Sequence, residues 1–116
     1  MEQKTIVELR RLNSPPRGVD DVVTAFLLLL EYPPNEVKDW NKCKSILSRT
    51  GEKSVMTKVS HFDPLYCSPE TAQKSEDLLA PYTIEIVRNK NLYAAKMYTW
   101  TKSMIEEVKA SGGVQK

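Results

Sequence analysis

Residues 14–30 read Ser14-Pro15-Pro16-Arg17-Gly18-Val19-Asp20-Asp21-Val22-Val23-Thr24-Ala25-Phe26-Leu27-Leu28-Leu29-Leu30, and this stretch decides the fold. A proline disfavours helix for the residue before it, whereas its own fixed φ suits a first helical turn. The Pro15-Pro16 pair therefore ends one helix and opens another. From Val19 onward apolar residues recur at steps of three and four through Val22, Val23, Phe26, Leu27 and Leu30, while Leu28 and Leu29 make the segment apolar almost all round. Such a helix, over residues 16–31, has to be covered by other helices, so it is expected at the centre of an all-α domain. Asp20 and Asp21 sit near its positive N-terminal end, where the dipole stabilises carboxylates by about 0.3–1 kcal/mol, which accounts for the acidic pair.

Upstream, residues 1–14 carry Ile6, Leu9 and Leu12 among Glu, Lys and Arg, a narrow apolar stripe on a charged helix that needs a partner. Downstream, Tyr32 to Lys38 with Pro33-Pro34 reads as a loop. Asp39 is an N-cap for a helix to Arg49 with inner face Trp40, Cys43 and Leu47, ended by Gly51. A shorter element follows around Val55, Met56, Val59 and Phe62. Ser68-Pro69-Glu70 repeats the cap-then-proline signal and opens a helix that stops before Pro81.

Residues 83–109 contain neither proline nor glycine and read as one long helix. Ile84, Val87, Asn91, Ala94, Tyr98, Thr101, Ile105 and Val108 form a seam at steps of three and four, with Leu92, Trp100 and Met104 on a second face. A helix apolar on two sides at its start and on one side at its end leaves a globule as half of a coiled coil. Its natural mate is the stripe Ile6 to Leu12. The expected architecture is a small helical bundle at the end of an antiparallel two-helix coiled-coil stalk: a first stalk helix end at 1–14, a helical globule at 15–100, and a second stalk helix start with a frayed tail at 101–116.

With 116 residues the chain has the size of one domain, and 41% hydrophobic and 28% charged residues is an ordinary globular balance. The net charge of +2 gives only a mild lean toward an acidic partner, so any attraction has to come from a patch. No basic stripe interleaved with stacking aromatics is present, which argues against nucleic acid as a partner. Cys43 and Cys67 have neither CxxC spacing nor a ligand pattern beside them and read as free thiols of a reducing compartment. The longest apolar run, Ala25 to Leu30, is far shorter than the roughly 20 residues a membrane span needs, and the N-terminus has no signal-peptide pattern. A soluble intracellular protein with no membrane partner is expected.

No catalytic constellation is visible. His61, the one histidine, has no Cys, Asp or Glu at metal-ligand spacing. The phosphate-cradling glycine motifs, HExxH and GxSxG are all absent. Glu106-Glu107 and Asp20-Asp21 are adjacent pairs about 100° apart on helices and do not converge on one substrate atom. Neither enzyme activity, cofactor nor metal is expected. What remains is binding through charged residues at the globule's far end: Arg17 at the start of the central helix, Arg49 at the end of the next, and Arg88 with Lys90 in the first turns of the long last helix. Cations there oppose the dipole, so helix stability does not explain them.

Taken in order, these motifs resemble the microtubule-binding tip of the dynein heavy-chain stalk. The resemblance runs over residues 7–109. It is carried by Leu12-Asn13-Ser14-Pro15-Pro16-Arg17-Gly18-Val19 leading to Leu27-Leu28-Leu29-Leu30, by Asp39-Trp40 with Lys44-Ser45-Ile46-Leu47, and by Tyr82-Thr83-Ile84-Glu85-Ile86-Val87 with Trp100 and Met104. The resemblance implies a helical bundle that docks on tubulin through its first, third and last helices and reports binding through stalk register to a distant ATPase ring. The family arginine after the Trp-containing helix falls on Arg49, and the last-helix glutamate that tempers affinity falls on Glu85. Two positions depart: a last-helix arginine falls on Asn89, between Arg88 and Lys90, and a lysine early in the central helix falls on Asp20. Residues 50–81 match only in length and in Phe62-Asp63, so Lys53 and Lys58 are assigned by position.

The microtubule-binding residues expected are thus Arg17, Arg49, Lys53, Lys58, Glu85, Arg88 and Lys90, in the cytoplasm and cytoskeleton or a ciliary or flagellar axoneme. The partners implied are tubulin and the rest of the heavy chain. The alternative is a docking platform for a regulatory light chain or another axonemal protein, using apolar surface at Tyr32, Tyr66 or Tyr93.

Overall fold

The apolar run at 19–30 forms the central helix, as its pattern demands, in a computed structural model that describes residues 1–111. Its Val19, Val22, Val23, Ala25, Phe26, Leu27 and Leu29 are wholly buried. In chain order the α-helices are α1 (Gln3–Arg10), α2 (Val19–Leu29), α3 (Trp40–Leu47), α4 (Val55–His61), α5 (Pro69–Leu79), α6 (Ile84–Lys90) and α7 (Leu92–Ser111). Three-residue 3-10 turns at Pro34–Glu36, Gly51–Lys53 and Pro64–Tyr66 lie between them, and the described residues contain no strand. The fold class is all-α, a small helical bundle. No helix among the described residues is long and apolar enough to cross a membrane. Of the tail expected to fray from Ala110 onward, Ala110 and Ser111 continue α7, and Gly112 to Lys116 lie outside the described residues.

The central helix is shorter than the expected 16–31 at both ends, for local reasons. Gly18 has φ +105, a conformation that L side chains rarely adopt, so Arg17 and Gly18 form a turn ahead of the helix, closed by the Val19 N–H donating to the Pro16 carbonyl at 3.0 Å, instead of its first turn. An added Cβ at Gly18 would also lie 2.9 Å from Tyr82 Cε1. At the other end Glu31 takes a left-handed φ of 72. There the Glu31 N–H donates to the Leu28 carbonyl at 2.9 Å and the Tyr32 N–H to the Leu27 carbonyl at 3.1 Å. This is a Schellman stop, usually signalled by glycine.

The remaining starts follow their caps. Asp39 accepts from the Lys42 N–H at 2.9 Å, Ser54 from Thr57 at 3.2 Å, Ser68 from Thr71 at 3.1 Å and Thr83 from Ile86 at 3.3 Å. Such caps contribute about 1 kcal/mol each. α3 buries Cys43, Ile46 and Leu47 and ends at Leu47, before Gly51, which opens a 3-10 turn. Trp40 is half-buried, and its indole N–H donates to the Leu12 carbonyl at 2.8 Å, tying α3 to the segment after α1.

α5 lies antiparallel to α2: Thr71 and Lys74 are beside Leu28 and Tyr32, Leu78 is beside Asp20 and Asp21, and the buried Ser75 hydroxyl donates to the Ala25 carbonyl at 2.7 Å. α7 covers another side of α2, with Trp100 edge-on to Phe26 at 5.5 Å and to Phe62 at 5.6 Å. α1 packs on α7 and buries Thr5, Ile6 and Leu9, while Thr101, Ile105 and Val108 are the buried positions on that half of α7. Lys109 pairs with Glu76, tying the end of α7 to α5.

The long helix expected over 83–109 is two helices. The chain breaks at Asn91, whose backbone is extended at φ −166 and ψ 127. Its side-chain oxygen accepts the N–H groups of Tyr93 at 2.8 Å and Ala94 at 3.0 Å, so this asparagine caps α7 instead of continuing a helix. Leu92, expected on an apolar second face, is 55% exposed.

Candidate docking surface

The seven residues expected to carry binding are all exposed, and the fold gathers five of them at the two ends of α2. At the N-terminal end, Gly18 packs against the Tyr82 ring, and the Lys90 chain lies 3.5 Å from where a Gly18 Cβ would stand. Arg17 acts electrostatically on the same tyrosine. The Tyr82 hydroxyl donates to Asp21 at 2.6 Å, and this bond, with burial second, pushes the phenol up to about 12. The Tyr98 hydroxyl donates to the Tyr82 carbonyl at 3.1 Å, and burial, with the Glu85 carboxylate second, raises its pKa. Arg17, Glu85 and Lys90 thus belong to one surface built on Tyr82, and Arg88 is exposed on the same helix as Glu85 and Lys90.

At the C-terminal end of α2 the organising residue is Tyr32. Its ring carries Lys58 Nζ at 4.2 Å and the Arg49 guanidinium at 5.8 Å, two cation–π contacts on one ring. Arg49 also pairs with Glu36 at 3.8 Å. Burial raises the Tyr32 phenol, with Arg49 acting in the opposite direction, and the hydroxyl is buried without a hydrogen bond of ordinary geometry. Lys53 stands on the exposed 3-10 turn before α4. Among the described residues Arg17, Lys53, Lys58, Arg88 and Lys90 form no ion pair.

The structure corrects three expectations about these residues. Arg88 and Lys90 lie in the last turn of α6, where cations favour the dipole, because the break at Asn91 turns the start of one long helix into the end of a short one. Helix stability therefore accounts for part of their presence. The cations occupy two clusters separated by the length of α2, 11 residues or about 16 Å, instead of one end of the globule. Tyr32, offered as exposed apolar surface, is 5% exposed, whereas Tyr66 is 55% exposed and Tyr93 half-buried.

Tyr82 was not among the candidates, and Tyr32 was one only as exposed apolar surface; neither was expected to organise a cluster, since their partners lie far away in sequence. The only available signal was the position of each tyrosine directly after a helix stop. His61 is exposed with its Nδ1 2.9 Å from the Thr57 carbonyl. Cys43 and Cys67 are both buried, and burial raises the Cys43 thiol. No group of three or more potential metal ligands occurs among the described residues.

The bundle carries charged clusters at the two ends of α2, and known proteins supply the context. The chain is 26% identical over 110 residues, 90% of its length, to a protein named dynein alpha chain, flagellar outer arm, from Chlamydomonas reinhardtii. It is 27% identical over 110 residues, 91% of its length, to cytoplasmic dynein 2 heavy chain 1 from the same organism. The chain is similar to segments of dynein heavy chains. It spans 2% of the length of each of these relatives. No protein-family model matches the chain, and no solved structure matches it.

Proposed function

We propose that this chain is a stalk tip of a dynein heavy chain that docks on the microtubule. Arg17, Arg49, Lys53, Lys58, Arg88 and Lys90 face acidic tubulin, and Glu85 tempers the affinity. The observation that carries the reading is the match of nine-tenths of the chain to dynein heavy-chain segments. The residues of the ordered resemblance also hold the fold together. Pro15-Pro16 separates α1 from α2, Trp40 ties α3 to Leu12, and Trp100 packs between Phe26 and Phe62.

A standard interface covers about 800 Å² per partner, roughly 28 Å across, which exceeds the length of α2. One footprint has room for both clusters. Arg49 is free to exchange Glu36 for a tubulin carboxylate at little cost, because an exposed pair contributes about 0–1 kcal/mol. In this reading residues 1–14 and 101–116 are stalk ends and 15–100 the docking globule. The packing of α1 on α7 supports two helices leaving the globule side by side. ATP hydrolysis belongs to the rest of the heavy chain. The location is the cytoskeleton, including a flagellar axoneme.

Cosedimentation with microtubules over a salt series tests the proposal: pelleting at low salt that declines as salt screens the contact supports it. A chain left in the supernatant at every ionic strength rules it out. One observation favours a second reading, a platform for a regulatory light chain. Leu65 and Tyr66 are 40% and 55% exposed beside a groove of about 300 Å³ floored by Leu29, Leu30 and Phe62. Binding of a purified light chain that resists high salt and is lost in Tyr66→Asp would support this second reading.

A further inference from the structure

The sequence carries a helical seam straight through the point where the structure breaks. Val87, Asn91, Ala94, Tyr98, Thr101, Ile105 and Val108 alternate strictly between steps of four and three. All of them except the half-buried Asn91 are buried, on both sides of the break. The phase set by α7 thus extends across the junction by one step, to Val87 in α6. No proline or glycine between Thr83 and Ser111 enforces the interruption.

Hydrogen bonding at the junction is nearly balanced. In the broken form Asn91 Oδ1 accepts from Tyr93 and Ala94. A continuous helix would instead direct the N–H groups of Leu92, Tyr93 and Ala94 to the carbonyls of Arg88, Asn89 and Lys90. The helical bonds that begin and end at Asn91 already exist: its N–H donates to the Val87 carbonyl at 3.0 Å, and its carbonyl accepts from Ala95 at 3.1 Å. Rotation of one residue from extended to helical backbone therefore exchanges two side-chain bonds for three backbone bonds. Around Asn91 the residues Asn89, Lys90 and Leu92 are exposed, so what holds the broken form is the packing of α6 on α7 through the buried Val87 and the Tyr98–Tyr82 bond.

We propose that Asn91 is a conformational switch between the broken α6–α7 pair and one continuous helix over residues 84–111. In the broken form its side chain caps α7, and in the continuous form it joins the seam. The switch re-aims α6, and with it Glu85, Arg88 and Lys90, against the Arg17 side of the surface. It follows from the fold and the sequence phase alone and stands apart from the docking reading.

Nuclear magnetic resonance of the isotope-labelled whole chain tests it through carbon secondary shifts at Lys90 to Leu92 and exchange broadening over residues 88–95. The wild-type chain is expected to give an extended shift at Asn91 with exchange broadening around it. Asn91→Ala removes the cap and should move the shifts at 90–92 to helical values. Leu92→Pro places proline at the first position of α7 and holds the preceding residue extended, so it should fold, keep the extended shift and lose the exchange. An Asn91→Ala chain that is folded yet still extended at 90–92 overturns the switch. If that variant does not fold, the comparison of wild type with Leu92→Pro decides: exchange no greater in the wild type also overturns it.

Discussion

Gly18 has two independent reasons to be glycine, its φ of +105 and the Tyr82 ring 2.9 Å from any added Cβ. Gly18→Ala should therefore destabilise the chain by about 1–3 kcal/mol, the usual cost of such a backbone, read as a lower urea midpoint. An unchanged midpoint would mean that the turn before α2 is not built this way. Tyr82 yields a pH prediction. Its folded pKa is raised from 10.0 to about 12, first by the hydrogen bond to Asp21. The stability of that bond is fully present below about 10 and is lost as pH climbs through about 12. In an absorbance titration of tyrosinate, Asp21→Asn should bring the late phase of this tyrosine back toward the ordinary tyrosine range, and an unaltered titration contradicts the contact. Local caps such as Asp39 and Ser68 are legible in sequence because donor and acceptor lie three residues apart. The Tyr82–Asp21 bond joins residues 61 positions apart and has no local signature.

At the scale of elements, burial of Ser75 and its bond to Ala25 fix α5 on α2. Ser75→Ala should lower stability by about 1 kcal/mol in a urea titration, since the carbonyl loses one donor while the methyl remains buried. No measurable loss would remove this contact from the account. Leu9 is 0% exposed on α1, and Leu9→Ala should cost about 2–5 kcal/mol. A negligible loss would show that α1 does not belong to the core. The starts of α3 and α5 were readable from cap and proline residues, whereas α2 begins three residues after the expected proline start and the start of α7 was missed; the apolar stripe of α1 implied the helical partner it has in α7. Helix ends were harder. The Schellman stop after α2 uses Glu31 in place of glycine, and Asn91 fits a helical seam as well as a cap, so periodicity alone merged α6 with α7.

For the whole molecule, the all-α class was legible because apolar steps of three and four recur along almost every segment. The docking surface was not, because the fold decides which charges end up together: Arg17 meets Lys90 through Tyr82, and Arg49 meets Lys58 through Tyr32. The most direct measurement of the proposed function is microtubule cosedimentation at low salt, comparing the wild-type chain with the pairs Arg17→Glu/Lys90→Glu and Arg49→Glu/Lys58→Glu. Each pair replaces two exposed cations with carboxylates facing an acidic partner, so each should lower the bound fraction at least several-fold, provided circular dichroism confirms intact helices. A bound fraction that both folded variants leave unchanged, or a wild-type chain that never pellets, would contradict tubulin docking through these two clusters.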